Sequence, residues 1–523
     1  MRGEIEMSAE EETPPAESPS GSPSPENHEG KLKATLELAI PALKSADLAA
    51  KDAEKPPVVT HHTIDLNGKP LRYTVTTGLM PLRNDGGEVE ASIFFMAYTR
   101  DDAGPVADRP LMFSFNGGPG SASVWLHLGA LGPKRVRMRE DGAMPPPPFR
   151  LEENPHTWLD RTDLVFIDPV GTGYSRPAKP ESGQKFWGLK GDIASVGEFI
   201  RSYLTRYARW SSPLFLVGES YGTTRAAGLA GHLIDQGIAF NGILLVSSIL
   251  QFQTALFRPG NDLPYVLFLP TYTATAWYHR RLPADLQGDL GATLAEVEGW
   301  ALGPYAAALA KGDALIAEER QEVVARLARY TGLAESFVAN CDLRIEIQRF
   351  CKELLRDERR TVGRLDSRFK GIDSTAAGEN PDFDPSMAAI RPPYTAAFND
   401  YVRTQLGYET DRPYHILGSG IKTPWQWDSD NRYAETGEAL RDAMARNPHM
   451  KLFVASGYYD LATPYFATEY TLAHLSLDPT LRANVTTAEY EAGHMMYIDV
   501  RELARLKSDV AAFLDTAIQS EDE

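Results

Sequence analysis

Polar and apolar residues alternate with a period of two along 62–66 and again along 71–76, with Asn67-Gly68 between the two stretches. That period puts every second side chain on one face of a strand, and Asn-Gly readily takes the positive φ angles of a two-residue hairpin turn. The pattern predicts an antiparallel hairpin as the first element of the folded body, and a further strand over 89–98. Downstream the pattern changes. Short apolar runs appear at 111–115, 164–167, 214–217, 243–246 and 452–455, as in strands buried on both faces of a parallel sheet. Helical periodicity at 192–207 and 224–236 alternates with them. This predicts an α/β fold with a mostly parallel central sheet and helices on both faces.

Between about 251 and 393 the alternation stops, and 282–357 reads as consecutive amphipathic helices without a strand candidate. An inserted helical cap is expected there, dividing the core into a first part, 58–250, and a second part, 394–518. Such a cap lies over the carboxyl ends of the strands, where open α/β sheets bind ligands. Ahead of the core, 1–30 reads as a disordered tail rich in Pro and Ser, with eight acidic residues against one arginine. A weakly helical connector follows at 31–57, and 519–523 is a short acidic terminus.

Composition narrows the function classes. Hydrophobic residues make up 43% of the 523 and charged residues 24%, ordinary values for a globular protein. The 53 Lys and Arg against 71 Asp and Glu leave a net charge of −18. That balance repels phosphate backbones and anionic lipid, so neither nucleic acid nor a membrane is an expected partner. No stretch approaches the roughly 20 apolar residues of a membrane span, and 1–20 contains no apolar run of signal-peptide length. Cys341 and Cys351, the two cysteines, are expected as buried thiols rather than a disulfide framework. A cytoplasmic location is therefore expected, or a periplasmic or secreted one if the true start differs.

Gly218-Glu219-Ser220-Tyr221-Gly222 has the G-x-S-x-G spacing, directly after the run at 214–217 and just before a helical pattern. In so tight a strand-to-helix turn, side chains two before and two after the serine would collide, and the turn pushes the hydroxyl out above the sheet. Ser220 is the candidate nucleophile. A hydroxyl needs a base to take its proton, and the base needs an orienting carboxylate. Asp460, in the loop after 452–455, and His494, after a strand candidate at 485–490, follow the serine in the order this architecture uses. A single loop Asp is usually solvated or a helix cap, and a lone His is usually structural; the order and topology select these two. Asn116-Gly117-Gly118-Pro119-Gly120-Ser121 follows 111–115 and carries few side chains, so its backbone can approach a ligand closely. The N–H groups of Gly118 and Tyr221 are the expected oxyanion hole. No Lys-Ser/Thr pair follows that loop, so it is not read as a phosphate cradle, and neither is Gly171-Thr172-Gly173. His61-His62 lacks Cys or carboxylate partners at metal spacing, and no metal or cofactor is expected.

Four segments, in order, resemble the motifs of the serine carboxypeptidase family. Asn116 to Gly120 is similar to its N-G-G-P-G loop, 169–175 to its P-V-G-T-G-[FY]-S segment, Gly218 to Gly222 to its G-E-S-Y-[AG] elbow, and Gly493-His494-Met495 to its terminal G-H-M. The resemblance spans about 111–500 and is weakest in the cap. It implies an α/β-hydrolase fold and a peptidase that removes the C-terminal residue of peptides through an acyl-enzyme on Ser220. It also implies that Asn116 and Glu219 hydrogen-bond the substrate's free carboxylate. A Glu does this only when protonated, so peptide binding is expected to be tighter below neutral pH.

Three positions depart from the family pattern. Ala130 stands where a second clamp Glu is common, Ser114 where a Trp is usual, and Tyr497 where a Pro is usual. Either another donor, such as Arg225 or a cap residue, completes the thinner clamp, or the substrate is not a free-carboxylate peptide. An esterase or acyltransferase acting on a small acyl substrate with the same triad is the alternative. An inactive hydrolase fold that only binds ligands is a third reading, disfavoured because Ser220, Asp460 and His494 are all in place.

Overall fold

Asn67 and Gly68 both have positive φ, 55° and 78°, and around them β1 (Val58–Leu66) pairs antiparallel with β2 (Lys69–Arg83), Leu66 opposite Lys69. The Asp65 carboxylate accepts from Gly68 N at 2.8 Å and holds the turn. β3 (Val89–Arg100) continues the antiparallel edge on β2. The computed structural model describes residues 54–518, so the tail expected at 1–30, nearly all of the connector at 31–57 and the terminus at 519–523 lie outside the described residues.

The remaining strands of this sheet are β4 (Leu111–Phe115), β5 (Asp163–Asp168), the two-residue β6 (Arg176–Pro177), β7 (Leu214–Ser220), β8 (Gly242–Ser248), β9 (Lys451–Gly457) and β10 (Val485–Tyr490). Their order across the sheet is β1-β2-β3-β5-β4-β7-β8-β9-β10, with β6 paired to β3. β5 is antiparallel to β3, and every pair from β5 through β10 is parallel. The apolar runs are buried because both faces are covered. Phe94, Met96 and Tyr98 enter one core, while Ile93, Phe95 and Ala97 enter the other. Helices α1 (Leu189–Arg206) and α2 (Tyr221–Ile234) close the second face with Phe199, Ile200, Leu229 and Leu233.

Between β8 and β9 the chain forms an insertion with its own core, in which Phe268, Tyr272, Leu327, Tyr330 and Phe350 cluster and Tyr272 stacks on Phe350 at 4.1 Å. Leu461, next to Asp460, joins that cluster. Cys341 and Cys351 are free and buried within it. The boundary expected at 393/394 falls instead inside one helix, α3 (Pro385–Thr404). Ile390, Tyr394, Phe398 and Tyr401 of α3 pack into the same core as Trp125 and the C-terminal α4 (Val500–Ile518), so this helix serves the sheet. An amphipathic period looks the same whichever core its apolar face meets. Among the described residues no helix is long and apolar enough to cross a membrane.

Candidate active site

At the carboxyl end of β7 the chain turns from strand to helix on Ser220, whose φ of 60° and ψ of −131° hold a non-glycine residue in a sparsely populated region, at a cost of about 1–3 kcal/mol. The flanking residues must be small: a Cβ on Gly218 would stand 2.2 Å from the Gly222 carbonyl oxygen. α2 begins at Tyr221, so the Tyr221 N–H is among the first-turn donors that have no partner inside the helix.

The loop after β4 lies directly on this elbow. A Cβ on Gly117 would meet Tyr221 N at 2.4 Å, Glu219 O at 2.7 Å and Gly222 N at 2.7 Å, and Gly118 has φ 103°. The two expected oxyanion donors, Gly118 and Tyr221, therefore belong to backbone segments packed against each other. Gly117→Ala is expected to lower kcat by about 100- to 1000-fold, the loss that follows removal of one oxyanion donor. Steady-state ester hydrolysis, with circular dichroism to confirm an unchanged fold, checks this.

His494 and Asp460 meet. His494 Nδ1 lies 2.7 Å from Asp460 Oδ2, and both residues are buried. The Asp460 carboxylate is anchored by the N–H groups of Ala462 (2.8 Å) and Thr463 (3.1 Å) and by the Thr463 hydroxyl (2.7 Å). His494 is held through its backbone: its N–H donates to Leu365 O at 2.6 Å, and its carbonyl accepts from the Ser247 hydroxyl at 2.7 Å. Ser247 precedes Ser248, the β8 residue in register with Ser220, so the backbone of His494 is tied to the strand next to the elbow. Among the described residues no hydrogen bond joins Ser220 Oγ to His494; bonds of this kind tighten when substrate binds. Burial disfavours the imidazolium, but the charge and hydrogen bond of Asp460, with help from Glu219, outweigh it against the opposing Arg364, and the His494 pKa is raised.

Asn116 and Glu219 are buried beside the elbow. Asn116 Oδ1 accepts from Leu126 N at 3.0 Å, which turns the Nδ2 donor away; that donor is buried and closes no hydrogen bond of normal length. Burial pushes the Glu219 carboxyl up to about 7, although His494, the Tyr497 hydroxyl and the Asn116 amide all pull it down. Arg225 takes a different place from the one anticipated. Its guanidinium is 1% exposed and spent on protein groups: Nε donates to Asp192 Oδ2 at 2.8 Å and Nη1 to Asn116 O at 2.8 Å. It is not a donor for substrate.

Three contributors escaped the sequence reading. Asp192 also accepts from the Tyr221 hydroxyl at 3.0 Å, Tyr497 donates to Glu219 Oε2 at 2.5 Å, and Thr463 supports Asp460. Tyr497 stood out only as a departure from pattern, whereas Thr463 left a local signal, since an Asp three residues before a Thr is a turn pattern in which the carboxylate caps following N–H groups.

Sheet order, elbow and cap insertion together define an α/β-hydrolase fold. The family model described as serine carboxypeptidase matches residues 68–255. Over that region the chain is similar to the serine carboxypeptidases. Pheromone-processing carboxypeptidase KEX1 of Saccharomyces cerevisiae is 32% identical over 158 residues, covering 28% of this chain and 20% of that protein. Serine carboxypeptidase-like 36 of Arabidopsis thaliana is 30% identical over 151 residues, covering 28% of this chain and 27% of that protein. The match thus spans about a fifth to a quarter of these relatives' length. The crystal structure of KEX1ΔP, a prohormone-processing carboxypeptidase from Saccharomyces cerevisiae, superposes with a TM-score of 0.51 at 15% identity, over 84% of this chain and 91% of that one, and shows the shared fold.

These relatives overturn the cytoplasmic expectation. The pheromone-processing and plant carboxypeptidase-like proteins are secretory-pathway or vacuolar enzymes. The expectation rested on the first residues of the chain and on two cysteines, and neither fixes a compartment.

Proposed function

We propose that the chain is a serine-type carboxypeptidase that hydrolyses the C-terminal peptide bond of peptides. Ser220 Oγ attacks the scissile carbonyl carbon while His494 takes its proton, with Asp460 holding the ring and stabilising the imidazolium. The tetrahedral oxyanion is received by the N–H groups of Gly118 and Tyr221. Collapse breaks the C–N bond, His494 returns the proton to the departing amine, and water attacks the acyl-enzyme by the same route. Protonated Glu219 and the Asn116 amide receive the carboxylate of the leaving residue. What carries the reading is the buried Asn116 amide beside Glu219, whose carboxyl burial pushes up to about 7, one residue from the nucleophile. The missing carboxyl at Ala130 favours an esterase or acyltransferase as the second reading.

The test compares a blocked dipeptide acid, its C-terminal amide and the matching ester at about pH 5 and pH 7.5. Release from the acid but little from the amide supports the carboxypeptidase; turnover of the ester alone leaves the triad standing and removes exopeptidase function.

A pH profile separates the two roles. His494 acts only when neutral and its pKa is raised, so ester kcat/KM is expected to climb with pH through a midpoint above about 6.5. Glu219 binds a carboxylate only when protonated and titrates at about 7, so acid-peptide binding weakens as pH rises through that value. The two groups interact, and the apparent midpoints belong to the pair. Acid peptides are expected to give a bell and esters only its rising limb; superimposable profiles exclude Glu219 from carboxylate binding.

A further inference from the structure

Neither the triad nor the family motifs account for Tyr497. It follows His494 by three residues, is 1% exposed, and donates to Glu219 Oε2 at 2.5 Å. Its ring lies on the π-helical turn His127–Leu131: a Cβ on Gly129 would stand 2.4 Å from Tyr497 Cε2 and 2.7 Å from the Tyr394 hydroxyl. The next residue of that turn is Ala130, fully buried and without a carboxyl. The turn that carries Ala130 thus packs against Tyr497, the residue bonded to Glu219.

We propose that Tyr497 is a positioning residue for the substrate's terminal carboxylate: its phenol holds Glu219 Oε2 so that Oε1, carrying the proton, and Asn116 Nδ2 face the substrate. Tyr497 thereby takes the place of the carboxyl absent at position 130. This rests on the carboxypeptidase reading. Two carboxyl groups in contact must share a proton, and either oxygen pair can carry it. A phenol keeps its proton throughout the working range, and burial and the facing carboxyl push the Tyr497 hydroxyl further up. It only donates to Glu219, so one carboxyl oxygen is committed as acceptor and the other is left to carry the proton. The groups that face Glu219 from the surrounding elements are His494, Asp460, Tyr497, the Asn116 amide and Tyr394.

A double-mutant cycle tests this, using Tyr497→Phe, Glu219→Gln and the pair, on the blocked dipeptide acid and its amide. Tyr497→Phe is expected to lower the acid-to-amide ratio of kcat/KM by about tenfold, the worth of a hydrogen bond to an ionisable buried group, chiefly through KM. It also moves the falling limb of the acid-peptide profile to higher pH, because the donor that favours ionised Glu219 is gone. In the Glu219→Gln background the same substitution is expected to change the ratio by less than about twofold, since it acts through Glu219. Equal loss on acid and amide, or an undiminished loss in the Glu219→Gln background, overturns the proposal. A wild-type preference for the acid that survives Tyr497→Phe overturns Tyr497 alone. A wild type without that preference overturns the carboxypeptidase reading with it.

Discussion

Ser220→Ala is expected to reduce kcat on ester and peptide alike by about a million-fold. The attacking atom is gone, and water must be delivered to a site shaped for a side-chain hydroxyl. The oxyanion donors and substrate binding survive, which leaves a residue of about a thousand- to ten-thousand-fold over the uncatalysed reaction. His494→Ala is expected to cost nearly as much, and the two losses should not add, since nucleophile and base act as one unit. Reaction with a serine-directed phosphonate, followed by intact mass, reads the same chemistry: one adduct on the parent protein and none on Ser220→Ala. A variant retaining more than about 1% of parental ester turnover would falsify the assignment of Ser220, because losing the nucleophile also idles the base, and general-base catalysis by itself contributes at least about a hundredfold.

Arg225→Met is expected to give the largest loss of stability, about 3–5 kcal/mol, because it removes one partner of a buried ion pair and strands the other. Asp192 and Arg225 are both almost completely enclosed, and the Asp192 carboxyl is already raised by burial against the pull of Arg225. The guanidinium lies 5.1 Å from the centre of the Phe115 ring and 5.2 Å from that of Tyr221, and it holds Asn116 O. One side chain therefore joins the oxyanion loop to the first turn of α2. Its loss is expected to lower the urea midpoint and, in the protein that remains folded, to reduce kcat by loosening Gly118 against Tyr221. An unchanged midpoint would mean that the Asp192–Arg225 pair is not a structural link.

Much of this protein is determined by local pattern. The hairpin at Asn67-Gly68 and the parallel strands were legible because period-two alternation and short apolar runs record which faces are covered. The elbow at Ser220 was legible because a strand-to-helix turn of that tightness admits only small neighbours, and Gly218 against Gly222 O shows the collision it avoids. Asp460 and His494 were candidates from their order and their places after strands, and the structure sets them 2.7 Å apart.

Contacts between distant residues left no such record. The helix Pro385–Thr404 was divided between cap and core, because amphipathic periodicity names an apolar face and not the core it meets. Arg225 was taken for a possible substrate donor, since its partners lie 33 and 109 residues away. Tyr497 registered only as a departure from pattern; its bond to Glu219 crosses 278 residues. By itself the sequence determined the fold class, the turn that carries Ser220 and the order of the candidate triad, because each follows from backbone geometry and nearest-neighbour sterics. Only the tertiary structure decided which buried polar groups answer one another. A desolvated carboxyl, amide or guanidinium must find its partner wherever the fold brings one within about 3 Å, and no local period encodes that meeting.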